Sequence, residues 1–137
     1  SDRSVGAGLK QIAAEVEDEH GKPIEVVTMG DARPSAQTDA LLDATRQALV
    51  NAVTHGGEPV SLYCEASDTM VEVFVRDHGE GFDMDAIPPD RLGIRESITG
   101  RVKRRGGTVE IVSRAGWGTE VRMHMPIALK AAQGEHR

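Results

Sequence analysis

The sequence predicts a two-layer α/β sandwich, a mixed and largely antiparallel sheet with helices on one face. Three observations lead there. Apolar and polar residues alternate in several short segments, most clearly where Val71, Val73 and Val75 are interleaved with Glu72, Phe74 and Arg76, the pattern of a strand with one buried face. Other stretches carry apolar residues at helical spacing. With 137 residues, 39% of them hydrophobic and only 3% aromatic, the chain has single-domain size and an aliphatic core of Leu, Ile, Val and Ala.

The elements follow in order. Residues 1–8 read as a flexible lead-in. Residues 9–20 form a helix with Leu9, Ile12, Ala13 and Val16 on one face, stopped by Gly21 and Pro23. Residues 24–29 read as a strand and 30–34 as a loop. A long helix over 39–55 places Leu41, Thr45, Ala48, Leu49, Ala52 and Val53 toward the core. A hairpin of 60–66 and 71–76 turns at Ser67-Asp68. Pro88-Pro89 should stiffen the next segment and keep it out of helix. A helix over 94–105 and strands over 108–114 and 119–125 complete the fold, and 128–137 read as a frayed tail. Cys64 alternates with Leu62 and Ala66 in a strand, as a small buried hydrophobe. A single cysteine excludes an internal disulfide and a cysteine-built metal site.

A net charge of −6 argues against general nucleic-acid binding. The run Arg101-Val102-Lys103-Arg104-Arg105 suits a solvated helix C-terminus, or it meets an acidic partner or phosphates. No apolar run approaches the roughly 20 residues that cross a bilayer, and no signal peptide is visible.

Four groups of residues carry chemistry. Asp77-His78-Gly79-Glu80-Gly81-Phe82 ends the valine run, and Asp77 keeps the valines' parity. Its carboxylate therefore points to the core side, where it needs a partner. The glycines behind it allow a sharp turn and a close approach. This describes a pocket floor with one acceptor, suited to a flat ligand carrying an exocyclic amine; the alternative is a strand-end turn. On the long helix, Asp43, Gln47, Asn51 and His55 form a polar row, able to hold a hydrated divalent cation and a phosphate, or else a solvated face. An Asn oxygen suits Mg²⁺, which keeps several waters. Leu92-Gly93-Ile94 opens a helix containing Arg101, and a glycine at a helix start exposes amides to phosphate. Thr119, after Gly116-Trp117-Gly118, shares the inward parity of Val121, Met123 and Met125. Its hydroxyl could complete the hydrogen bonding around Asp77, or the turn is a glycine hairpin with a strand-favouring threonine.

In this order, the four resemble the ATP-binding catalytic domain of sensor histidine kinases, within the Bergerat-fold ATPase superfamily. The run Gln47-Ala48-Leu49-Val50-Asn51-Ala52-Val53-Thr54-His55 is similar to that family's N box, Asp77 to Phe82 to its G1 box, Gly93-Ile94 to its G2 region and Gly118-Thr119 to its closing element. The resemblance covers residues 9–127. It implies that ATP or ADP binds with Mg²⁺, that Asp77 receives the adenine amine and that Asn51 holds the metal. It also implies that His55 lies near the phosphates, and that Gly79, Gly81, Gly93, Ile94, Arg101 and Thr119 form the nucleotide pocket. Gln47 and Asn51 take the catalytic positions.

The chain departs from the family twice. Gln47 stands where the N box usually has Glu, and an amide cannot take a proton at neutral pH. Only residues 83–91 separate the G1 box from Leu92-Gly93, a spacing that resembles the short-lid branch. Of five histidines, none sits in a long amphipathic helix beside an acid, as a phosphoacceptor of this family would. The resemblance thus implies a donor module. Its partner is the dimerisation and phosphoacceptor domain of a parent kinase, with a response regulator downstream. It implies a cytoplasmic domain without nucleic-acid or direct membrane contact, whose parent can itself be membrane-anchored. Two alternatives stand beside it. An anti-sigma-factor serine kinase can also read N-A-x-x-H-G, as Asn51 to Gly56 do, although Gly106-Gly107 and Gly118-Thr119 favour the histidine kinase. A non-catalytic nucleotide-sensing module would tolerate Gln47.

Overall fold

The alternating valines pair on both sides, and the sheet is built outward from them. In the computed structural model, which describes residues 3–127, they lie on β3 (Met70–Asp77). Its register pairs Val73 with Cys64 on antiparallel β2 (Val60–Ala66) and with Met123 on antiparallel β5 (Gly118–Pro126). β1 (Ile24–Met29) joins β2 in parallel and β4 (Thr108–Arg114) joins β5, giving a five-stranded sheet of order β1-β2-β3-β5-β4. The expected tail at 128–137 lies outside the described residues.

Three helices among the described residues, α1 (Val5–His20), α2 (Ala36–His55) and α3 (Pro89–Lys103), cover one face. The central α2 buries Leu41, Ala44, Ala48, Leu49, Ala52 and Val53 against sheet residues such as Leu62, Val73 and Met123. The buried hydroxyl of Thr45 is satisfied by donating to the Leu41 carbonyl at 2.7 Å. No aromatic ring enters this core. Tyr63 and Phe74 pair on the other face, ring centroids 5.9 Å apart. Burial pushes the Cys64 thiol up to about 11, so it stays a protonated hydrophobe near neutrality.

Three helix starts correct the sequence reading. α1 begins at Val5, not Leu9, so 5–8 are helix rather than lead-in. Ser4 caps the helix locally, its Oγ accepting from Ala7 N at 3.4 Å, and the rest of the cause is distant in sequence: Asp31 Oδ1 accepts from Gly6 N at 2.9 Å and the Ala32 carbonyl from Val5 N at 3.0 Å. The loop after β1 thus satisfies first-turn donors that would otherwise be orphaned. α2 begins at Ala36 through a capping box in which Thr38 replaces the usual Glu: Ser35 Oγ accepts from Thr38 N at 3.1 Å, and Thr38 Oγ1 accepts from Ser35 N at 2.8 Å. α3 includes Pro89 at its first position. The expectation that the proline pair stays out of helix fails for Pro89, because a missing N–H costs nothing there and its φ is already helical. Pro88 stays extended at ψ 142°, as a residue before proline should. Gly93 consequently lies inside α3, and the helix stops at Lys103, short of Arg105.

Partial burial raises the Asp31 carboxyl, but the Gly6 and Ala32 amides and the Ser4 hydroxyl outweigh it and hold it below the ordinary value. A depressed folded-state pKa stabilises above the unfolded value, and that contribution is lost as pH falls through the folded value. Asp31→Ala should therefore cost about 1 kcal/mol near neutrality, the size of a lost cap. Urea unfolding of both proteins from pH 7 downward should show the gap closing below about pH 4. A gap independent of pH would contradict a charged cap.

Candidate functional site

Parity carries the Asp77 side chain to the helix side at the end of β3, where it is 5% exposed. Its Oδ1 accepts from Gly79 N at 2.9 Å. The carboxylate lies against the backbone at the end of α2: a Cβ at Gly56 would stand 2.3 Å from Asp77 Cγ. The Gly57 carbonyl accepts from His78 N at 2.8 Å, and His78 Nδ1 lies 2.9 Å from the Pro59 carbonyl. On its other side the loop packs on the turn between β4 and β5. Gly81, at φ +69°, sits where a Cβ would be 2.1 Å from the Arg114 carbonyl oxygen, so only glycine fits. The Glu80 carbonyl accepts from Gly116 N at 2.7 Å. Two elements far apart in sequence thus clamp 78–82 and fix Asp77 between them.

Ser113, which sequence reasoning missed, ties the clamp together. It is buried on β4, accepts from Phe82 N at 2.9 Å, and has its Oγ 2.8 Å from Thr119 Oγ1. Thr119 does face inward and lies opposite Asp77 in the register. The expected completion of hydrogen bonding around Asp77 is not what its hydroxyl does, because Ser113 takes it. Only the inward parity of Ser113 signalled this, and a serine in a strand is too common to read.

Along α2, Asp43 and His55 are exposed, while Gln47 and Asn51 are half-buried beneath α3. Gln47 Oε1 accepts from Ser97 Oγ at 3.2 Å. Asn51 Oδ1 is buried with no partner, and it lines a cavity of about 20 Å³ with Phe82, Arg91, Ile94, Ile111 and Thr119. A buried acceptor left without a donor is costly, so this oxygen is suited to a cation or a cation-bound water. A hard side-chain oxygen of this kind fits Mg²⁺.

The structure gathers Asn51, Ile94 and Thr119 at the cavity and places Asp77 at the end of β3, with Gly79 and Gly81 on the loop that follows it. Gln47 and His55 lie one helical turn to either side of Asn51. Gly93 is exposed in α3 with open space where a Cβ would be, so it does not present the first-turn amides expected of it. Arg101 is exposed near the C-terminus of α3 and does not line the cavity. The arginines that do are Arg91 and Arg95. Their signal in the sequence was only their nearness to Gly93, each lying two residues from it.

The chain is similar to known proteins in sequence and in fold. The chain is similar to the sensor histidine kinase LiaS of Bacillus subtilis, 28% identical over 127 residues, covering 89% of this chain and 35% of that protein. Its fold is similar to the histidine kinase domain of the blue-light activated histidine kinase EL346 from Erythrobacter litoralis, with TM-score 0.69 and 23% identity, covering 95% of this chain and 63% of that one. A second structure of the Erythrobacter litoralis kinase gives TM-score 0.70 at 23% identity, covering 95% of this chain and 43% of that chain. The chain therefore spans about a third of its curated relative and under two thirds of these structures. Residues 36–129 match the family described as histidine kinase-, DNA gyrase B- and HSP90-like ATPase. That match takes in Asn51, Asp77, Gly81 and Thr119. The chain belongs to this family of ATPase domains.

Proposed function

We propose that the chain is the phosphoryl-donor domain of a sensor histidine kinase: it binds Mg²⁺-ATP and presents the γ-phosphoryl group to a histidine on a separate dimerisation domain. The observation that carries this is the buried Asp77 carboxylate, fixed between the end of α2 and the β4–β5 turn within the matched family region. An acceptor held there suits the adenine amine, and Asn51 Oδ1 suits the metal. Gly79 and Gly81 shape the loop, Ile94 and Thr119 line the adjoining wall, and His55 stands toward the phosphate side. Gly93 and Arg101 would act only after α3 moves. Bound Mg²⁺ would neutralise charge on the phosphates, and the protein's contribution is mainly positioning. A response regulator follows downstream. No helix among the described residues is long and apolar enough to cross a membrane, and we place the domain in the cytoplasm of a parent that can be membrane-anchored.

The test is radiolabel transfer from γ-labelled ATP. Label should reach a histidine of the parent's dimerisation domain, and none should remain on this chain alone. Label on the isolated chain would overturn the donor role, and label on a serine of a partner would replace histidine-kinase chemistry with serine-kinase chemistry.

If Asn51 acts through the metal, Asn51→Ala should weaken Mg²⁺-ATP binding about tenfold, the effect of losing roughly 1.4 kcal/mol, while adenosine binding changes little. Competition against a fluorescent nucleotide measures both. Equal losses for the two ligands would assign Asn51 to the base or to folding instead.

A further inference from the structure

Arg91 lies in the first turn of α3, half-buried, and reaches across to the end of α2. Its Nη2 donates to the His55 carbonyl at 3.4 Å, and its guanidinium sits 5.5 Å from the centroid of the Phe82 ring, within cation–π reach. Its Nε is buried and has no hydrogen-bond partner. Arg91 Nε, a donor, and Asn51 Oδ1, an acceptor, are the two buried side-chain polar atoms without partners among the described residues, and both residues line the same cavity. That cavity, at about 20 Å³, has room for about one water, whereas small-molecule pockets run to roughly 300–1,000 Å³. Moving the first turn of α3 away from α2 would open room for a nucleotide there; Arg91 bridges that turn to the end of α2, while Ser97 and Gln47 join the two helices further along.

We propose that Arg91 is a latch that changes partners: without nucleotide it closes the pocket by holding α3 against the His55 carbonyl and the Phe82 ring, and with nucleotide it pairs with the phosphates. This rests on the nucleotide-binding reading and adds a residue that the sequence motifs did not assign. The chemistry favours the exchange. A guanidinium with one long bond to a neutral carbonyl and one unmade bond gains shorter, charge-assisted bonds from a phosphate, often two at once. The device therefore couples opening to the polyphosphate rather than to the base. It also predicts opposite effects on two ligands that share the adenine ring.

Arg91→Met keeps the apolar stem and removes the fork. Adenosine should bind the variant as well as the wild type or up to about threefold tighter, since no latch needs breaking. ATP should bind at least about tenfold more weakly, the loss of one charge-assisted phosphate contact. Arg91→Lys, which keeps the charge without the fork, should restore part of the ATP affinity. Titration of adenosine and Mg²⁺-ATP into all three proteins reads the ratio of affinities. An unchanged ratio, or an equal fall for both ligands, would overturn the latch while leaving nucleotide binding intact. A wild-type chain that binds neither ligand would overturn the nucleotide reading and the latch with it.

Discussion

Replacing Gln47 by glutamate should raise phosphoryl transfer to a supplied acceptor domain about a hundredfold, the lower end of what a positioned general base contributes. Gln47 lies one helical turn before Asn51 and is half-buried beneath α3, where Oε1 accepts from Ser97 Oγ at 3.2 Å. Its amide has the length of a glutamate but no site for a proton at neutral pH. A carboxylate there can keep the Ser97 bond with one oxygen and use the other to draw the proton from an incoming imidazole. ATP affinity should hardly change, because the loop bearing Asp77 and the Asn51 oxygen are untouched. Transfer of label at saturating nucleotide, with both variants and the same acceptor domain, measures the effect. Equal rates would mean that position 47 is not a base and that an acid elsewhere, in Asp43 or in the acceptor domain, serves instead.

What the sequence told about the fold was what a local period can carry. The inward parity of Val71, Val73, Val75 and Asp77, that of Thr119, Val121, Met123 and Met125, and the α2 stripe all reappear as buried faces. Helix starts were harder, because their determinants are not local or use an uncommon residue. α1 is capped by Ser4, but two first-turn donors are met by Asp31 and Ala32, Asp31 lying 25 residues beyond Gly6. α2 is capped by Ser35 with Thr38 as its reciprocal partner, a pair lying before the stretch read as helix, and Pro89 begins a helix it was expected to exclude.

The site divides in the same way. Asp77 and Asn51 were legible because a strand end and a helix row fix their directions. Ser113 and Arg91 were not, since each acquires its meaning from a partner on another element: Thr119 and Phe82 for the first, His55 and Phe82 for the second. Arg101 was chosen for its charge in a basic helix, and the helix carries it away from the cavity.

In the function proposed above, nucleotide recognition depends on the buried carboxylate of Asp77 as acceptor. Asp77→Asn is nearly isosteric, so the packing against Gly56 and the bond from Gly79 N can survive. It replaces one acceptor oxygen by an NH₂ that faces the adenine amine donor to donor. A buried polar group left unpaired costs about 1–3 kcal/mol, which is roughly tenfold in affinity or more. Calorimetric titration of Mg²⁺-ATP into the wild-type chain and the variant, with matching urea unfolding curves, measures this directly. The expected result is saturable single-site binding that weakens at least about tenfold in the variant at unchanged stability. Equal affinities, or no binding heat from the wild-type chain, would contradict a nucleotide site built on Asp77.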